Sequence, residues 1–155
     1  MANINALKYI LAAMVTAILL QSCSATKVSQ SDKQGISGYI RILTGNQMPA
    51  PGRILGKGRG ISCDIYFYAP TRLTDTKGSS PLFTAVNTRL ILHARSDSTG
   101  YYAVKLPAGV YSVFIKQYGR FFAAERNGNG ILNAVDIRPA TVTHKDFVIN
   151  NRASY

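Results

Sequence analysis

Apolar and polar residues alternate along most of the chain from residue 35 onward, and this period of two limits the fold more than any other feature. Ile36, Gly38, Ile40 and Ile42 share one face of a predicted strand. Further alternating rows occupy residues 82–95, 102–106, 111–115 and 131–137. Successive side chains of a strand point to opposite faces, so such rows predict half-buried strands. No window carries a sustained apolar stripe at helical spacing.

Turn-forming residues separate the alternating rows. They occur at residues 97–100, 106–109, 117–119, 127–130 and 138–140. Turns spaced in this way predict an all-β domain, a small antiparallel β-sandwich of about six to eight strands. One row from Leu82 to Ala94 forms a single long face, whereas residues 141–149 place apolar side chains on both faces. Cys63 alternates with Ile61 and Ile65, which predicts a small buried side chain.

The amino-terminal segment has the pattern of an export signal. A polar start that ends in Lys8 precedes a nearly unbroken apolar run, Tyr9 to Leu20, which is shorter than the roughly 20 residues that span a bilayer. The sequence Leu20-Gln21-Ser22-Cys23 follows at once. It resembles the cleavage and lipidation motif of bacterial lipoproteins, in which the signal peptide is removed before the Cys.

This resemblance implies a signal peptide at 1–22 and lipidation of Cys23. Residues 24–34 are polar except for Ala25 and Val28, so the segment 23–34 is predicted to consist of the lipidated Cys and a flexible tether. The resemblance also implies a lipid-anchored protein of the cell envelope. Ser24 is not the acidic residue that tends to retain lipoproteins at the inner membrane, so the outer membrane is favoured and the leaflet is left open. Acyl chains contribute about 0.8 kcal/mol for each buried methylene, and two or more chains anchor a protein stably.

Residues 35–155 form the predicted folded domain, and one stretch of it resembles a known family. Asp97-Ser98-Thr99-Gly100, an aromatic strand, Leu106-Pro107-Ala108-Gly109 and Tyr111-Ser112-Val113 are similar to the carboxypeptidase-regulatory-like domains, which are prealbumin-like (transthyretin-like) β-sandwiches. The resemblance implies an accessory domain without catalysis. It also predicts a hairpin whose Tyr102, Val104, Tyr111 and Val113 face one core.

The stretch from Thr44 to Gly60 is a 17-residue segment with five Gly, two Pro and the cations Arg53, Lys57 and Arg59. The chain as a whole has a formal net charge of +11, and no acidic residue lies between Asp32 and Asp64. An anionic glycan, a lipid headgroup or an acidic surface of an envelope protein would be attracted there. A solvated loop whose charge serves solubility explains the same residues. The export signal argues against nucleic acid as a partner.

A weak calcium pattern lies near residues 125–136. Glu125, Asn127, Asn129 and Asp136, with Gly130, follow EF-hand spacing, but only two of these side chains are carboxylates. An Asn-Gly-rich hairpin turn explains the same residues, because Asn and Gly tolerate positive φ. We therefore predict no metal and no cofactor.

Catalytic motifs are missing from the sequence. The chain has two His and no Gly-x-Ser-x-Gly elbow, and neither His belongs to a short metal-binding pattern. A non-enzymatic envelope interaction or structural module is therefore the expected function. The alternatives are a small envelope hydrolase that uses His93 or His144 in a site assembled by the fold, and a calcium-dependent adhesion module.

We expect the Cys23→Ala variant to be released from membranes, because it lacks the thiol that would carry the acyl chains. Fractionation of cells that produce the wild type or the variant measures this release. A variant that stays as tightly membrane-bound as the wild type would contradict lipid anchoring at this position.

Overall fold

The computed structural model describes residues 33–52 and 56–154, with the backbone alone for 152–154. The predicted signal peptide, Cys23 and most of the predicted tether lie outside the described residues, as does Arg53. Gln34, the last residue of the predicted tether, is buried. Its side-chain Nε2 donates to the carbonyl oxygen of Leu106, and its Oε1 accepts from the N–H of Ala140. The folded contacts thus begin at least one residue before the predicted boundary.

The described residues form two packed β-sheets, so the prediction of an all-β sandwich is confirmed. Among these residues, one 3-10 turn at Leu73–Asp75 interrupts the strands. Twelve strands are found in the described part of the chain, more than the six to eight expected, because six of them have four residues or fewer. In chain order they are β1 Gly35–Asn46, β2 Arg59–Gly60, β3 Asp64–Tyr68, β4 Thr76–Ser79, β5 Leu82–Val86, β6 Leu90–Arg95, β7 Tyr101–Val104, β8 Gly109–Gln117, β9 Arg120–Phe122, β10 Ala134–Ile137, β11 Val142–His144 and β12 Phe147–Ser154.

The first sheet is organised around the long strand β1. The first half of β1 pairs with β11 in parallel and with β7 antiparallel, and its second half pairs with β12 in parallel and with β2 antiparallel. The prediction of an antiparallel sandwich therefore holds for most strand pairs, and the pairs of β1 with β11 and β12 depart from it. Parallel pairing arises because β11 and β12 come back to β1 from the far end of the chain rather than through a local turn.

The second sheet has the order β4-β5-β9-β8-β3-β6, and β10 pairs with β8. Its neighbouring strands are antiparallel throughout. The predicted long face from Leu82 to Ala94 is divided here, because residues 87–89 separate β5 from β6 and the two strands join different neighbours. Within the predicted row, Leu82 of β5 is partly buried, whereas Leu90 of β6 is exposed.

The main core lies between the two sheets, and burial of its apolar surface is the chief stabilising contribution to such a fold. Each sheet supplies alternate side chains to it. Its buried members are Ile36, Ile40, Cys63, Ile65, Phe67, Tyr102, Leu106, Tyr111, Val113, Ile115, Phe122, Val135, Ile137, Phe147 and Ile149. A second, smaller cluster on the outer face of the larger sheet contains Tyr68, Phe83, Phe114, Ala123 and Leu132.

The predicted hairpin of residues 101–113 is wrong, although its side chains do share one core. Strand β7 pairs with β1 in the first sheet, while β8 pairs with β3, β9 and β10 in the second. The segment 105–108 therefore crosses from one sheet to the other instead of closing a turn within one. The hydroxyl of Tyr111 donates to the carbonyl oxygen of Pro107 at 2.9 Å and fixes this crossing.

The ambiguous final segment divides into β11 and β12. Phe147 and Ile149 face the core, whereas Val142 and Val148 are exposed. Between the two strands, the Asp146 carboxylate accepts from the backbone N–H of Tyr39 at 2.8 Å and from Nη1 of Arg41 at 2.7 Å. Asp146 therefore joins the end of the domain to the middle of β1.

These contacts change the ionisation of Asp146. Burial by itself would raise the pKa of this carboxyl, but the N–H of Tyr39, the Arg41 guanidinium and the nearby His144 together lower the pKa below its ordinary value. A carboxylate of this kind stabilises the folded state above its unfolded pKa of about 3.9. That stabilisation is lost as the pH falls through the lower, folded pKa.

We expect Asp146→Asn to lower the free energy of unfolding at pH 7 by about 1 kcal/mol, because a partly exposed charged hydrogen bond is weakened. The variant should also lose less stability than the wild type between pH 5 and pH 3, since its side chain no longer titrates. Urea unfolding at several pH values measures both effects. Parallel pH profiles for the two proteins would rule out Asp146 as a contributor to acid stability.

Candidate functional site

An open groove of about 370 Å³ lies where β2 of the first sheet meets β3, β6 and β8 of the second. We call it the basic groove. Its described lining residues are Ile42, Arg59, Ile61, Ser62, Cys63, Asp64, Arg95, Lys116, Gln117 and Tyr118. They come from distant parts of the sequence, so only the folded chain assembles the groove.

Positive charge dominates the basic groove. Its described lining residues include three cations, Arg59, Arg95 and Lys116, and one carboxylate, Asp64. Arg95 Nη1 lies 3.9 Å from Asp64 Oδ1. Neither Arg59 nor Lys116 forms an ion pair among the side chains that the structure describes. The groove therefore offers positive charge that no described carboxylate neutralises.

Strand register sets the positions of these charges. Asp64 of β3 lies directly opposite Arg95 of β6, and Ile65 lies opposite Ile115 of β8. Because β3 and β8 are antiparallel, the register of Ile65 with Ile115 brings Asp64 beside Lys116. Because side chains alternate between the two faces, Arg95, Asp64 and Lys116 share the outer face of the sheet.

Hydrogen bonds hold the floor of the groove. The Ser96 hydroxyl accepts from the N–H of Cys63 at 3.0 Å and donates to the carbonyl oxygen of Ile61 at 2.9 Å. Ser62 Oγ donates to the carbonyl oxygen of Ser96 and accepts from Arg95 Nε at 3.3 Å, which orients the guanidinium. The prediction that Cys63 is buried is confirmed. Burial raises the pKa of the Cys63 thiol, although the hydrogen bond with Ser96 acts in the opposite direction.

Aromatic rings adjoin the basic groove on the same sheet face. The His93 ring stacks on Tyr66 with centroids 4.5 Å apart, and Tyr66 meets Phe121 edge-on at 5.4 Å. We call these three residues the aromatic platform. Lys116 Nζ lies 3.9 Å from the centroid of Phe121, which is cation–π distance. Lys116 therefore lines the groove and contacts the platform.

Close backbone packing positions Arg59. In β2, Arg59 pairs with Ile42 and Gly60 pairs with Arg41. A Cβ on Gly60 would overlap the carbonyl oxygen of Thr99, so β2 can approach the turn 97–100 only because residue 60 is glycine. The Asp97 carboxylate holds that turn by accepting from the N–H groups of Thr99 and Tyr101.

The predicted polyanion-binding residues have different locations. Arg59 lines the basic groove. Lys57 is exposed just before β2 and does not line the groove, and Arg53 lies outside the described residues. Sequence reasoning missed Arg95 and Lys116 as partners of Arg59. Alternation indicates that Arg95 faces outward, but the pairing of β3 with both β6 and β8 is needed to bring these cations together.

The weak calcium candidates are engaged in other contacts. Glu125 pairs with Lys145 Nζ at 2.7 Å, and Asn127 Oδ1 accepts from the N–H groups of Asn129 and Ile131, as in a tight turn. Asp136 is exposed on β10, opposite Val110 of β8. The described residues contain no group of three or more His, Cys, Asp or Glu that could hold a metal ion.

The two His residues also have carboxylate neighbours. His93 Nε2 lies 3.3 Å from Asp64 Oδ1 at the edge of the basic groove, and His144 Nε2 lies 3.4 Å from Asp146 Oδ1 on the other sheet. Neither ring is hydrogen-bonded to a Ser, Thr or Cys side chain within the described ranges. Among the described side chains, neither His is therefore paired with a hydroxyl or thiol that could act as a nucleophile.

Comparison of the chain with protein-family models, with curated proteins and with solved structures found no match. Residues 33–52 and 56–154 include no helix long and apolar enough to span a membrane. The functional interpretation therefore depends on the groove and its charges.

We expect Gly60→Ala to lower the free energy of unfolding by about 2 kcal/mol, because the added methyl group would overpack β2 against the turn. Chemical denaturation measures the loss. Gly128→Ala is the matched control, since a Cβ there meets no atom within 4 Å. Equal stability of the two variants would show that the close approach does not constrain β2.

Proposed function

We propose that this protein is a non-enzymatic, lipid-anchored module of the cell envelope that binds an anionic partner in its basic groove. One observation carries the proposal: three cations, Arg59, Arg95 and Lys116, line one open groove. Asp64 is the one carboxylate among the described lining residues. Like charges repel, so a groove that gathers three cations is stabilised by an anion that binds between them. Arginine also offers two parallel donors to a carboxylate or a phosphate.

The concave shape of the groove strengthens this attraction. Clefts lined by charge of one sign focus the electric field and raise the local concentration of ions of the opposite sign. The hydrogen bond that Arg95 Nε donates to Ser62 Oγ restricts the guanidinium, and this restriction reduces the entropy lost on binding. Binding of this kind weakens as salt screens the charges.

Anchoring at Cys23 and a location at the outer membrane complete the proposal. The motif Leu20-Gln21-Ser22-Cys23 after an apolar run supports the anchoring, and the non-acidic Ser24 that follows supports the outer membrane. The carboxypeptidase-regulatory-like pattern around residues 97–113 supports an accessory role, because domains of that family are folded accessories. The β-sandwich architecture is compatible with that resemblance.

We expect the triple variant Arg59→Gln, Arg95→Gln, Lys116→Gln to bind polygalacturonate at least about tenfold more weakly at low salt, because it loses the charges that attract the polymer. Its affinity should also depend less steeply on salt. Binding of the detergent-solubilised full chain, measured by calorimetry over a range of NaCl concentrations, gives both quantities.

Lys77→Gln, Arg126→Gln, Arg138→Gln is the matched control, because it removes the same charge from exposed residues that do not line the groove. It should weaken binding by no more than about threefold. If both triple variants lose affinity equally, net charge rather than the groove explains binding. Turnover of an envelope polymer that His93→Ala abolishes would instead favour the hydrolase alternative.

A further inference from the structure

A two-residue turn at the edge of the basic groove has an unusual residue in its first position. Gln117 of β8 pairs with Arg120 of β9, so Tyr118 and Gly119 alone close this hairpin. Their φ angles are 47° and 78°. Turns with two positive φ angles favour Asn-Gly or Gly-Gly, because Cβ of other residues meets the backbone in this region. A tyrosine in such a position therefore adopts an unfavourable backbone conformation.

The turn also leaves Tyr118 largely exposed. Tyr118 is 70% exposed, more than any other large hydrophobic residue of the described chain, and it lines the basic groove. Core packing therefore does not explain the choice of tyrosine at this position. Strained residues persist where a function selects them, and an exposed ring at the edge of a cleft is suited to covering a ligand.

The neighbourhood of Tyr118 combines charge with flat apolar surface. Lys116, two residues earlier, lies over the Phe121 ring of the aromatic platform, and Arg95 is held beside Asp64. A ligand that satisfies both kinds of surface needs an anionic group and an apolar ring face. A sugar ring that carries a carboxylate or a phosphate has both, whereas a linear polyanion has only the charge.

The position of the groove along β1 favours a glycan over the headgroups of the anchoring membrane. The predicted tether enters the domain just before Gly35, and Ile42 of the same strand lines the groove. Seven residues of extended strand span about 23 Å. The groove therefore lies beside the second half of β1, away from the end that the tether enters.

We propose that the basic groove binds an anionic sugar ring and that Tyr118 stacks on that ring from the hairpin turn. The inference rests on the proposed binding function and adds the class of ligand and the residue that recognises its ring. Arg59, Arg95 and Lys116 hold the anionic group, and Tyr118 covers the ring.

The test compares Tyr118→Asn and Tyr118→Phe in the detergent-solubilised full chain. Tyr118→Asn should bind oligogalacturonate about tenfold more weakly, since one aromatic contact is lost, while its melting temperature equals or exceeds that of the wild type, because Asn suits positive φ. Tyr118→Phe keeps the ring and should bind within about twofold of the wild type. Polyglutamate, a polymer of carboxylates without rings, should bind both variants and the wild type equally.

Each remaining outcome has a distinct meaning. Wild-type protein that binds polyglutamate or vesicles containing phosphatidylglycerol as tightly as oligogalacturonate would overturn sugar recognition and leave the anion-binding proposal intact. Tyr118→Asn that weakens polyglutamate and oligogalacturonate equally would overturn ring stacking. Loss of stability in Tyr118→Asn would show that packing selects this tyrosine. If the groove triple variant binds every polyanion normally, the proposed function itself fails.

Discussion

Strand β1 is the element on which the rest of the structure depends. Its twelve residues pair with four other strands, β11 and β7 along the first half and β12 and β2 along the second. Ile36 and Ile40 extend from it into the core, where they meet side chains of the larger sheet. In the first sheet, the described strands are joined to one another only through β1. The same strand contributes Ile42 to the basic groove, so the stability of the sheet and the shape of the site are coupled.

The basic groove combines a fixed floor with exposed charge. Ser96 and Cys63 form a buried hydrogen-bonded floor, and Gln117 is also buried at its edge. Above this floor, Arg59 and Arg95 are exposed, so their charges keep most of their hydration and the folded state loses little stability by gathering them. Lys116 is partly buried, and its charge interacts favourably with the negative face of the Phe121 ring. These differences in burial explain how three cations share one groove without a matching set of carboxylates.

Sequence patterns predicted which face of each strand is buried better than they predicted how the strands pair. Period-two alternation is a local property, and it correctly placed Ile36, Tyr102 and Val113 in one core. Pairing depends on long-range packing, and there the inference of a hairpin failed because β7 and β8 belong to different sheets. The turn residues at 106–109 reverse the chain equally well within a sheet or between two sheets.

The candidate site could be predicted only in part for the same reason. Arg59 stands out because it belongs to a glycine-rich segment that lacks acidic residues. Arg95 and Lys116 each occur in ordinary alternating strands, and nothing in their local sequence marks them as neighbours of Arg59. For Tyr118, the sequence does contain a signal. Tyr-Gly between two strands indicates a tight turn, and tyrosine is unfavourable in the first position of such a turn. Residues chosen against local preference are the ones where function is expected.

The parallel pairing of β1 with β12 has a consequence for how the chain acquires its structure. Ile40 and Phe147 are partners across this pair, so the first strand cannot complete its sheet until residues beyond 147 are available. Contacts between such distant residues slow folding, because a long loop must close before they form. Strand β1 therefore remains without its longest partner until β12 has been added to the sheet.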